Sequence, residues 1–507
     1  MKQSGVFLFI LSVFLVLGGI WYFFPAEGLK VGDIATLRFV SFEQTLADLK
    51  NGGASADVDS VLMKTHERAL LLQSSGDSLS TFHDYLTKDP DRIILPGDDY
   101  RYFDSLFVAM DSAAAKGVTV RIMHYGDSQL EMDRISSVLR QKLQERFGGC
   151  GPGMVPLVQR IASSSVTLSH TGVMSRYARV TDSLAHRDPR HRYGIMTSYV
   201  HVPNGGKFMF RESASRFCQP LARKVKKVSI LKADRDSKPF GIKLLGYDTD
   251  TLVRASEEDF EDLSRLTWSF PDTISTASFS LSGNGDVYGV MLDGDGGVTV
   301  DNVALRGSSG SIFTDIDSLS MSRLFNLAGH RMIILEFGGN AMPGISGRKG
   351  ISYYMRGLEK QFRYFREVAP GAQLLFVGPA DMSKRVNGQL TTWPMLPELV
   401  DSLKTTCLEN GVAFWDTFRM MGGVGSMVQW VKHNPALAGP DYIHFTTKGS
   451  QEVGTALSRS LLMLYDFYRF RQTHPEDLIE DCFSTFRDSL EASSTEPEVT
   501  MDSVDSD

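Results

Sequence analysis

Short apolar runs that alternate with helical stretches constrain the fold of this 507-residue chain more than any other feature. Each apolar run is followed by a polar turn, and most of the turns lead into a helical pattern. Buried strands that alternate with helices are typical of a parallel sheet covered on both faces. The predicted strands are 118–124, 298–305, 331–337, 373–377 and 411–415. The predicted helices are 129–147, 312–327, 350–368, 396–410 and 449–471.

The alternation breaks between about residues 151 and 290, where many short β-like runs lie between turns. Examples are "KKVSILKA", "GIKLLGY" and "TASFSLSG", none of which has a strong helical period. Several short strands separated by turns are typical of an all-β sandwich. We therefore predict an inserted β-sandwich at 151–289, within an α/β domain formed by 101–150 and 290–475.

The N-terminus carries an apolar segment at residues 6–24, "VFLFILSVFLVLGGIWYFF", without a charged residue. Its length is close to the ~20 residues that a helix needs to cross a bilayer. The segment is longer than a usual signal-peptide core, and no clear small-x-small cleavage site precedes Pro25. We predict a signal anchor or transmembrane helix at 1–24 and a juxtamembrane and helical segment at 25–100, with the body in the periplasm or otherwise outside the cytoplasm. Secretion after cleavage of the signal is the alternative.

The charge distribution argues against nucleic-acid binding. The formal net charge is −7, and residues 488–507 contain seven acidic residues and no Lys or Arg, so the rest of the chain is close to neutral. A neutral body lacks the basic surface on which nucleic-acid binding depends. The acidic segment has too few apolar residues to form a core, and we predict a disordered tail at 476–507.

The cysteines are far apart in the sequence and form no CxxC pair; they are Cys150, Cys218, Cys407 and Cys482. This spacing argues against a zinc ribbon and against a thioredoxin-like site. Isolated buried thiols are the first interpretation, and one disulfide stays open if the body is exported.

Small and polar residues follow the predicted strands, at the edge where an open parallel sheet binds its ligands. The loop after the first strand contains "GDSQ" with Ser128, and the loop after the second contains "LRGSSG" with Gly307. "FGGNA" with Asn340 follows the third strand, and "DYIH" with Asp441 and His444 precedes the last helix. We therefore expect these loops to meet at one edge of the sheet.

These residues have the chemistry that a serine nucleophile needs. A serine hydroxyl is weakly nucleophilic near neutral pH, so Ser128 requires a base, and His444 can accept its proton. Asp441 precedes His444 on the same loop and can hold the useful imidazole tautomer. The backbone N–H groups of Ser128 and Gly307 and the side-chain amide of Asn340 are candidate donors to an oxyanion. Such a mechanism requires no metal and no organic cofactor.

Several residues that neighbour these candidates in sequence are expected to support the site. Asp127 is adjacent to Ser128, and because adjacent side chains of an extended segment point apart, we expect Asp127 to brace the loop. Core packing is the alternative interpretation for two of the candidate pocket residues, His124 and Trp430. The candidate pocket residues are His124, Gln129, Gly339 and Trp430.

The four blocks resemble the signature blocks of the SGNH/GDSL hydrolase superfamily. The signature serine and glycine match Ser128 in "GDSQ" and Gly307 in "LRGSSG". The signature asparagine and histidine match Asn340 in "FGGNA" and His444 in "DYIH". Asp441 matches the acid of the superfamily's triad.

The resemblance covers about residues 118–150 and 290–470 and implies a flavodoxin-like parallel sheet with helices on both faces. The chain departs from the superfamily at two positions. Gln129 stands where Leu often follows the serine, and Ala341 stands where Asp often follows the asparagine. The second departure alters the surroundings of the asparagine and leaves its side-chain amide in place.

An SGNH domain interrupted by a β-sandwich is similar to bacterial peptidoglycan O-acetylesterases. The segment before the last helix also resembles exported proteins of envelope-polysaccharide acetylation. The resemblance implies a serine esterase that removes acyl groups, foremost acetyl, from an envelope polysaccharide or peptidoglycan, with a carbohydrate-binding-like insert. An O-acetyltransferase with the same site, served by a membrane-bound acyltransferase partner, is one alternative. A non-catalytic glycan-binding protein is the other.

Overall fold

Among the described residues, the first unit of the chain forms a short hairpin, and the second unit contains the other helices and strands. The computed structural model describes residues 29–31, 35–37, 79–180, 185–247, 254–260, 262–477 and 479. The units are 1–57 and 58–507, and in the first β1 (Leu29–Val31) pairs antiparallel with β2 (Ala35–Leu37). Among the residues that are described, no helix combines the length and the apolar character needed to span a bilayer. The predicted membrane helix at 1–24 and nearly all of the predicted tail lie outside them.

The described part of the second unit starts at residue 79 with two helices, separated by a short strand, and continues with the first strand of a parallel sheet. A 3₁₀ segment, Ser128–Asp133, separates this strand from the next helix, where the sequence pattern predicts one helix over 129–147. The α-helix starts later because Met132 and Asp133 have φ of 62° and 63°, whereas an α-helix needs φ near −63°. The elements are α1 (Leu79–Lys88), β3 (Ile93–Ile94), α2 (Asp104–Ala113), β4 (Thr119–Gly126) and α3 (Ser136–Phe147).

The middle of the chain forms two antiparallel sheets. Their strands are β5 (Gly153–Val155), β6 (Val166–Thr171), β7 (Ser175–Ala178), β8 (Ser198–Val202), β9 (Gly206–Glu212), β10 (Val225–Asp234), β11 (Gly241–Leu245), β12 (Arg254–Phe260), β13 (Leu263–Ile274), β14 (Thr276–Ser282) and β15 (Gly285–Asp293). The larger sheet has the order β12-β13-β10-β15-β8-β7, with β5 also paired to β15. The smaller sheet has the order β11-β14-β9-β6.

The last part of the chain returns to alternating strands and helices. One predicted helix, 312–327, begins at Ser318 instead, because Asp317 caps it by accepting the backbone N–H of Ser320 at 2.8 Å. The elements are β16 (Gly297–Ala304), α4 (Ser318–Ala328), β17 (His330–Glu336), α5 (Arg348–Val368), β18 (Gln373–Val377), β19 (Ser383–Val386), β20 (Gln389–Thr392), α6 (Leu396–Glu409), β21 (Ala413–Trp415), α7 (Thr417–Met420), α8 (Ser426–Lys432) and α9 (Thr447–Arg471).

Parallel strands form the central sheet in the order β16-β4-β17-β18-β21, and β3 pairs antiparallel with β21 at the edge. In order of appearance, the parallel strands read 2-1-3-4-5, the order of flavodoxin-like sheets. Side chains on both faces are buried: Met123 and Ile333 belong to one core cluster, and Ile122 and Ile334 belong to another. The predicted parallel sheet with two covered faces is confirmed.

The two antiparallel sheets pack face to face as a β-sandwich. Phe208 and Phe279 of the smaller sheet share a buried cluster with Ile230 of the larger sheet. The other face of the larger sheet contributes Met291 to a cluster that contains Leu324 of α4. The sandwich therefore packs against the α/β part rather than standing apart from it.

The cysteines of the described residues are free thiols. Cys150 is partly buried, and Cys218 and Cys407 are buried. Burial raises the pKa of all three thiols, which keeps them protonated and weakly reactive near neutral pH. The fourth cysteine, Cys482, lies outside the described residues.

Candidate active site

Loops that follow neighbouring strands meet at the carboxyl edge of the parallel sheet. Ser128 follows β4, Asn340 follows β17, and Gly307 follows β16 on the other side of β4. In the 2-1-3-4-5 order the chain runs from β4 to β16 on one side and from β17 to β18 on the other, so a crevice opens between β4 and β17. His444 reaches the crevice from the loop before α9, and all four residues line one cavity.

The serine loop (residues 127–133) turns sharply where β4 ends. Gly126 leaves no room for a side chain, because a Cβ there would lie 2.7 Å from Leu130 Cδ1 and 3.1 Å from Glu336 Cβ. Asp127 caps the 3₁₀ segment, since its Oδ1 accepts the backbone N–H of Gln129 at 2.9 Å. The cap places Ser128 at the cavity, half-buried.

Ser128, His444 and Asp441 form a continuous hydrogen-bonded series. Ser128 Oγ lies 2.8 Å from His444 Nε2, and His444 Nδ1 lies 2.7 Å from Asp441 Oδ2. When Nδ1 carries the proton and donates it to the carboxylate, Nε2 can accept the proton of the serine hydroxyl. The arrangement has the geometry of a nucleophile, a base and an acid that orients the base.

Asp441 is held as a carboxylate by its own loop. Its Oδ1 accepts the backbone N–H groups of Ile443 and His444, each at 3.1 Å. Partial burial opposes ionisation, but the hydrogen bonds from the His444 ring and from these backbone groups lower the pKa of Asp441 below its ordinary value. The negative charge therefore stays beside the imidazole and can stabilise an imidazolium.

Backbone donors face the same cavity as the serine. Ser308 N donates to Leu305 O at 2.9 Å, and Gly307 has φ of 78°, as the third residue of a type II turn requires. Within the described part of the chain, neither the Gly307 N–H nor the Ser128 N–H donates to a protein acceptor. Both groups can therefore donate to an oxyanion that forms on a substrate.

Asp127 also orients Asn340. Asn340 Nδ2 donates to Asp127 Oδ2 at 2.8 Å, which leaves the second N–H of this nitrogen for an oxyanion. Burial, with a smaller contribution from the charge of Glu336, raises the pKa of Asp127 to about 7. The hydrogen bonds from Gln129 N and Asn340 favour the carboxylate and oppose this shift. The predicted role of Asp127 as a brace for the loop is confirmed.

We expect Asp127→Asn to remove a pH dependence of stability. The folded-state pKa of Asp127, about 7, lies above its ordinary value of 3.8, so its stabilising contribution is present below about pH 4 and is lost as pH rises through about 7. The difference in unfolding free energy between wild type and variant should change by up to about 1.4 kcal/mol per pH unit in this interval. Urea denaturation of both proteins between pH 4 and pH 8 measures it, and parallel curves would contradict the raised pKa.

The cavity around Ser128 has a volume of about 600 Å³. Gln129 and Gly339, which the sequence predicts as pocket residues, both line it, whereas Asp441 lies behind His444. Among the described residues, no group of three or more His, Cys, Asp or Glu side chains is arranged to hold a metal ion. Arg134 and Trp393 also line this cavity.

The prediction that His124 and Trp430 line the pocket is wrong, because both side chains are fully buried and neither lines the cavity. His124 points into the core, where Nε2 lies 3.1 Å from Glu336 Oε2 and Nδ1 lies 2.9 Å from Ser136 Oγ. Trp430 packs in the core, and its indole N–H donates to Met421 O at 3.1 Å. Proximity in sequence to a catalytic loop says little, since both faces of β4 and the inner side of a helix are covered by core side chains.

Arg134 and Trp393 line the cavity, but the sequence patterns did not single them out. Arg134 donates from Nη2 to Ser128 O at 3.1 Å and from Nη1 to Phe445 O at 2.9 Å. Trp393 follows the β19–β20 hairpin, and Lys384 Nζ lies 4.5 Å from the centre of its ring. A single Arg or Trp carries no spacing signal, so only the folded chain identifies these residues.

Comparison with solved structures places the fold among known proteins. No protein-family model matches the sequence, and no curated protein matches it. A structure of a peptidoglycan O-acetylesterase aligns over 72% of this chain and 96% of its own, with 20% sequence identity and a TM-score of 0.56. A family two carbohydrate esterase from Cellvibrio japonicus aligns over 60% of this chain and 98% of its own, with 10% identity and a TM-score of 0.24. The chain therefore shares the SGNH hydrolase fold of peptidoglycan O-acetylesterase, as its sequence blocks predict.

Proposed function

We propose that this protein is a serine esterase that removes acyl groups, foremost acetyl, from an envelope polysaccharide or peptidoglycan. The hydrogen-bonded series of Ser128, His444 and Asp441 at the wall of the cavity carries the proposal. A solvent-accessible serine that contacts a carboxylate-bound imidazole is arranged for acyl transfer through a covalent intermediate, and the N–H donors beside it have no acceptor among the described residues. The shared fold with a peptidoglycan O-acetylesterase supports the same chemistry.

The proposed reaction has two halves. His444 Nε2 takes the Ser128 proton while Ser128 Oγ attacks the ester carbonyl, and the N–H groups of Ser128 and Gly307 and the Asn340 amide stabilise the oxyanion. Collapse expels the sugar oxygen, which takes the proton from His444. Water then attacks the acyl-enzyme, giving its proton to His444, and the second collapse releases acetate and restores the serine hydroxyl.

The cavity wall supports a sugar ester as the substrate. Trp393 presents a half-buried aromatic side chain to the cavity, and Lys384 lies over its ring. Ligand sites commonly combine an aromatic wall with a few polar groups that orient the ligand, and an aromatic face suits the C–H face of a sugar ring. We also propose that residues 1–24 anchor the protein in the membrane with its body outside the cytoplasm, because the proposed glycan substrate lies in the envelope.

Acetate release tests the proposal. O-acetylated peptidoglycan and other O-acetylated envelope polysaccharides are incubated with wild type and with Ser128→Ala, and the same glycans after base treatment serve as substrate controls. We expect wild type alone to release acetate, and only from the O-acetylated glycans. No release from any glycan would contradict the proposal. Transfer of acetyl to an added glycan acceptor without net acetate release would identify an O-acetyltransferase instead.

A further inference from the structure

The two loops that carry the nucleophile and the base are separated by more than three hundred residues of chain. The serine loop follows β4, and the histidine loop (residues 439–446) precedes α9. The Ser128 Oγ to His444 Nε2 distance of 2.8 Å therefore depends on non-covalent contacts between the loops. An error of about 1 Å in such a distance can cost roughly 100-fold in rate.

Gln129 makes the main polar contact between the loops. Its Nε2 donates to Ile443 O at 2.8 Å, and its Oε1 accepts Phe445 N at 3.2 Å. These backbone groups lie on either side of His444, so one side-chain amide holds both flanks of the base. On its own loop, Gln129 directly follows the nucleophile, Ser128.

Arg134 adds a second contact between the same loops. Its guanidinium donates to Ser128 O at 3.1 Å on the serine loop and to Phe445 O at 2.9 Å on the histidine loop. Nε also donates to Glu131 O at 3.0 Å, which holds the guanidinium in place. Phe445 thus donates its N–H to Gln129 and accepts from Arg134.

Apart from the Ser128–His444 bond itself, the other hydrogen bonds that the histidine loop makes with described residues do not involve the serine loop. Ser383 N donates to Tyr442 O at 3.0 Å, and Gly439 N donates to His444 O at 2.8 Å within the loop. These bonds shape the loop and tie it to the β19–β20 hairpin, but they leave its distance from Ser128 undetermined. A leucine at position 129, frequent in the superfamily, would have no group to donate or accept.

We propose that Gln129, assisted by Arg134, is a positioning residue that sets the distance between the Ser128 hydroxyl and the His444 imidazole. The inference rests on the proposed function, because the distance matters only if Ser128 is the nucleophile. Gln129 touches no reacting atom in this role and acts through the backbone on both sides of His444.

The test replaces Gln129 by Met, which keeps an unbranched chain of similar length and removes both hydrogen bonds. We expect kcat for an aryl acetate to fall roughly 10- to 100-fold, with KM changed less than about twofold. The rate of covalent labelling by a fluorophosphonate should fall in parallel, because labelling also requires the serine to be activated. Gln129→Leu, which restores the residue frequent in the superfamily, should behave likewise.

Gln361→Leu is the matched control. Gln361 is buried on α5 away from the cavity, and its Oε1 accepts Phe313 N at 2.9 Å and Thr314 N at 3.1 Å. This variant should lower the melting temperature and leave kcat unchanged. A kcat equal to that of wild type in folded Gln129→Met would overturn the proposal. A second test needs no variant: fast hydrogen exchange at the Phe445 amide of wild type would also overturn it. Absence of Ser128-dependent turnover in wild type would instead reject the proposed function.

Discussion

Ser128→Ala is expected to lower kcat for an aryl acetate by roughly 10⁴- to 10⁶-fold and to abolish labelling by a fluorophosphonate. The alanine has no Oγ to form the acyl-enzyme, so any remaining turnover comes from water that reaches a bound ester beside the oxyanion donors. The fold should be unaffected, because Ser128 is half-buried and the hydrogen bond of its Oγ among the described residues is with His444. Equal turnover by wild type and variant would reject the enzymatic proposal in favour of a glycan-binding protein.

Ser136→Ala is the control for this experiment. Ser136 Oγ lies 2.9 Å from His124 Nδ1, and His124 Nε2 lies 3.1 Å from Glu336 Oε2. The side chains therefore form a second series of serine, histidine and acid, but Ser136 and His124 are both 0% exposed. Since no ester can reach Ser136, this variant should keep its turnover and its labelling. Hydrogen-bond distances alone do not make a nucleophile, and access to the cavity decides between the two serines.

Asp441→Asn is expected to lower kcat by roughly 10³- to 10⁴-fold with little change in KM. An amide at position 441 cannot supply the negative charge that stabilises the imidazolium, and its NH₂ group can favour the tautomer in which Nε2 carries the proton. His444 would then lose its ability to accept the Ser128 proton. Steady-state kinetics with an aryl acetate measures the loss, and a melting curve shows whether the loop bonds to Ile443 and His444 survive.

Asp127→Asn supplies the contrast, because Asp127 is the acid next to the nucleophile in sequence. Its carboxylate binds Gln129 N and Asn340 Nδ2, while the carboxylate that contacts the imidazole is that of Asp441. We expect a loss in kcat of roughly tenfold from the loosened Asn340, far below that of Asp441→Asn. An equal loss in the two variants would show that Asp127 has a direct part in activating the base.

Several parts of the fold follow from local patterns. The strands of the parallel sheet are continuous apolar runs because both faces of that sheet are buried, and such runs are recognisable without any knowledge of their partners. The turn residues Gly126 and Asp127 are equally local, since one lacks a side chain where Leu130 packs and the other caps the next segment. The predicted helix start was wrong at Met132 and Asp133, where the backbone is left-handed. Both residues accept hydrogen bonds from distant residues, Ser164 and Ser165, which a local pattern does not display.

The positions of several site residues were predictable from the topology of the sheet. The carboxyl ends of parallel strands share one edge, so residues that follow β4, β16 and β17 must lie near one another once the sheet is predicted. His124 and Trp430 show the limit of this argument, because both are close to catalytic loops in sequence and yet point into the core. Arg134 and Trp393 show the converse, because each reaches the cavity without any motif around it.

The α/β alternation, the β-rich interruption and the candidate residues Ser128, His444 and Asp441 could all be read from the sequence, because each depends on residue type and local spacing. The folded chain was needed to show which serine is accessible and how Gln129 joins the two loops, and it places Asp441 against the imidazole. The physical reason is that hydrogen bonds and burial act over a few ångströms in space. Residues hundreds of positions apart reach that range only when the sheet brings their loops to one edge.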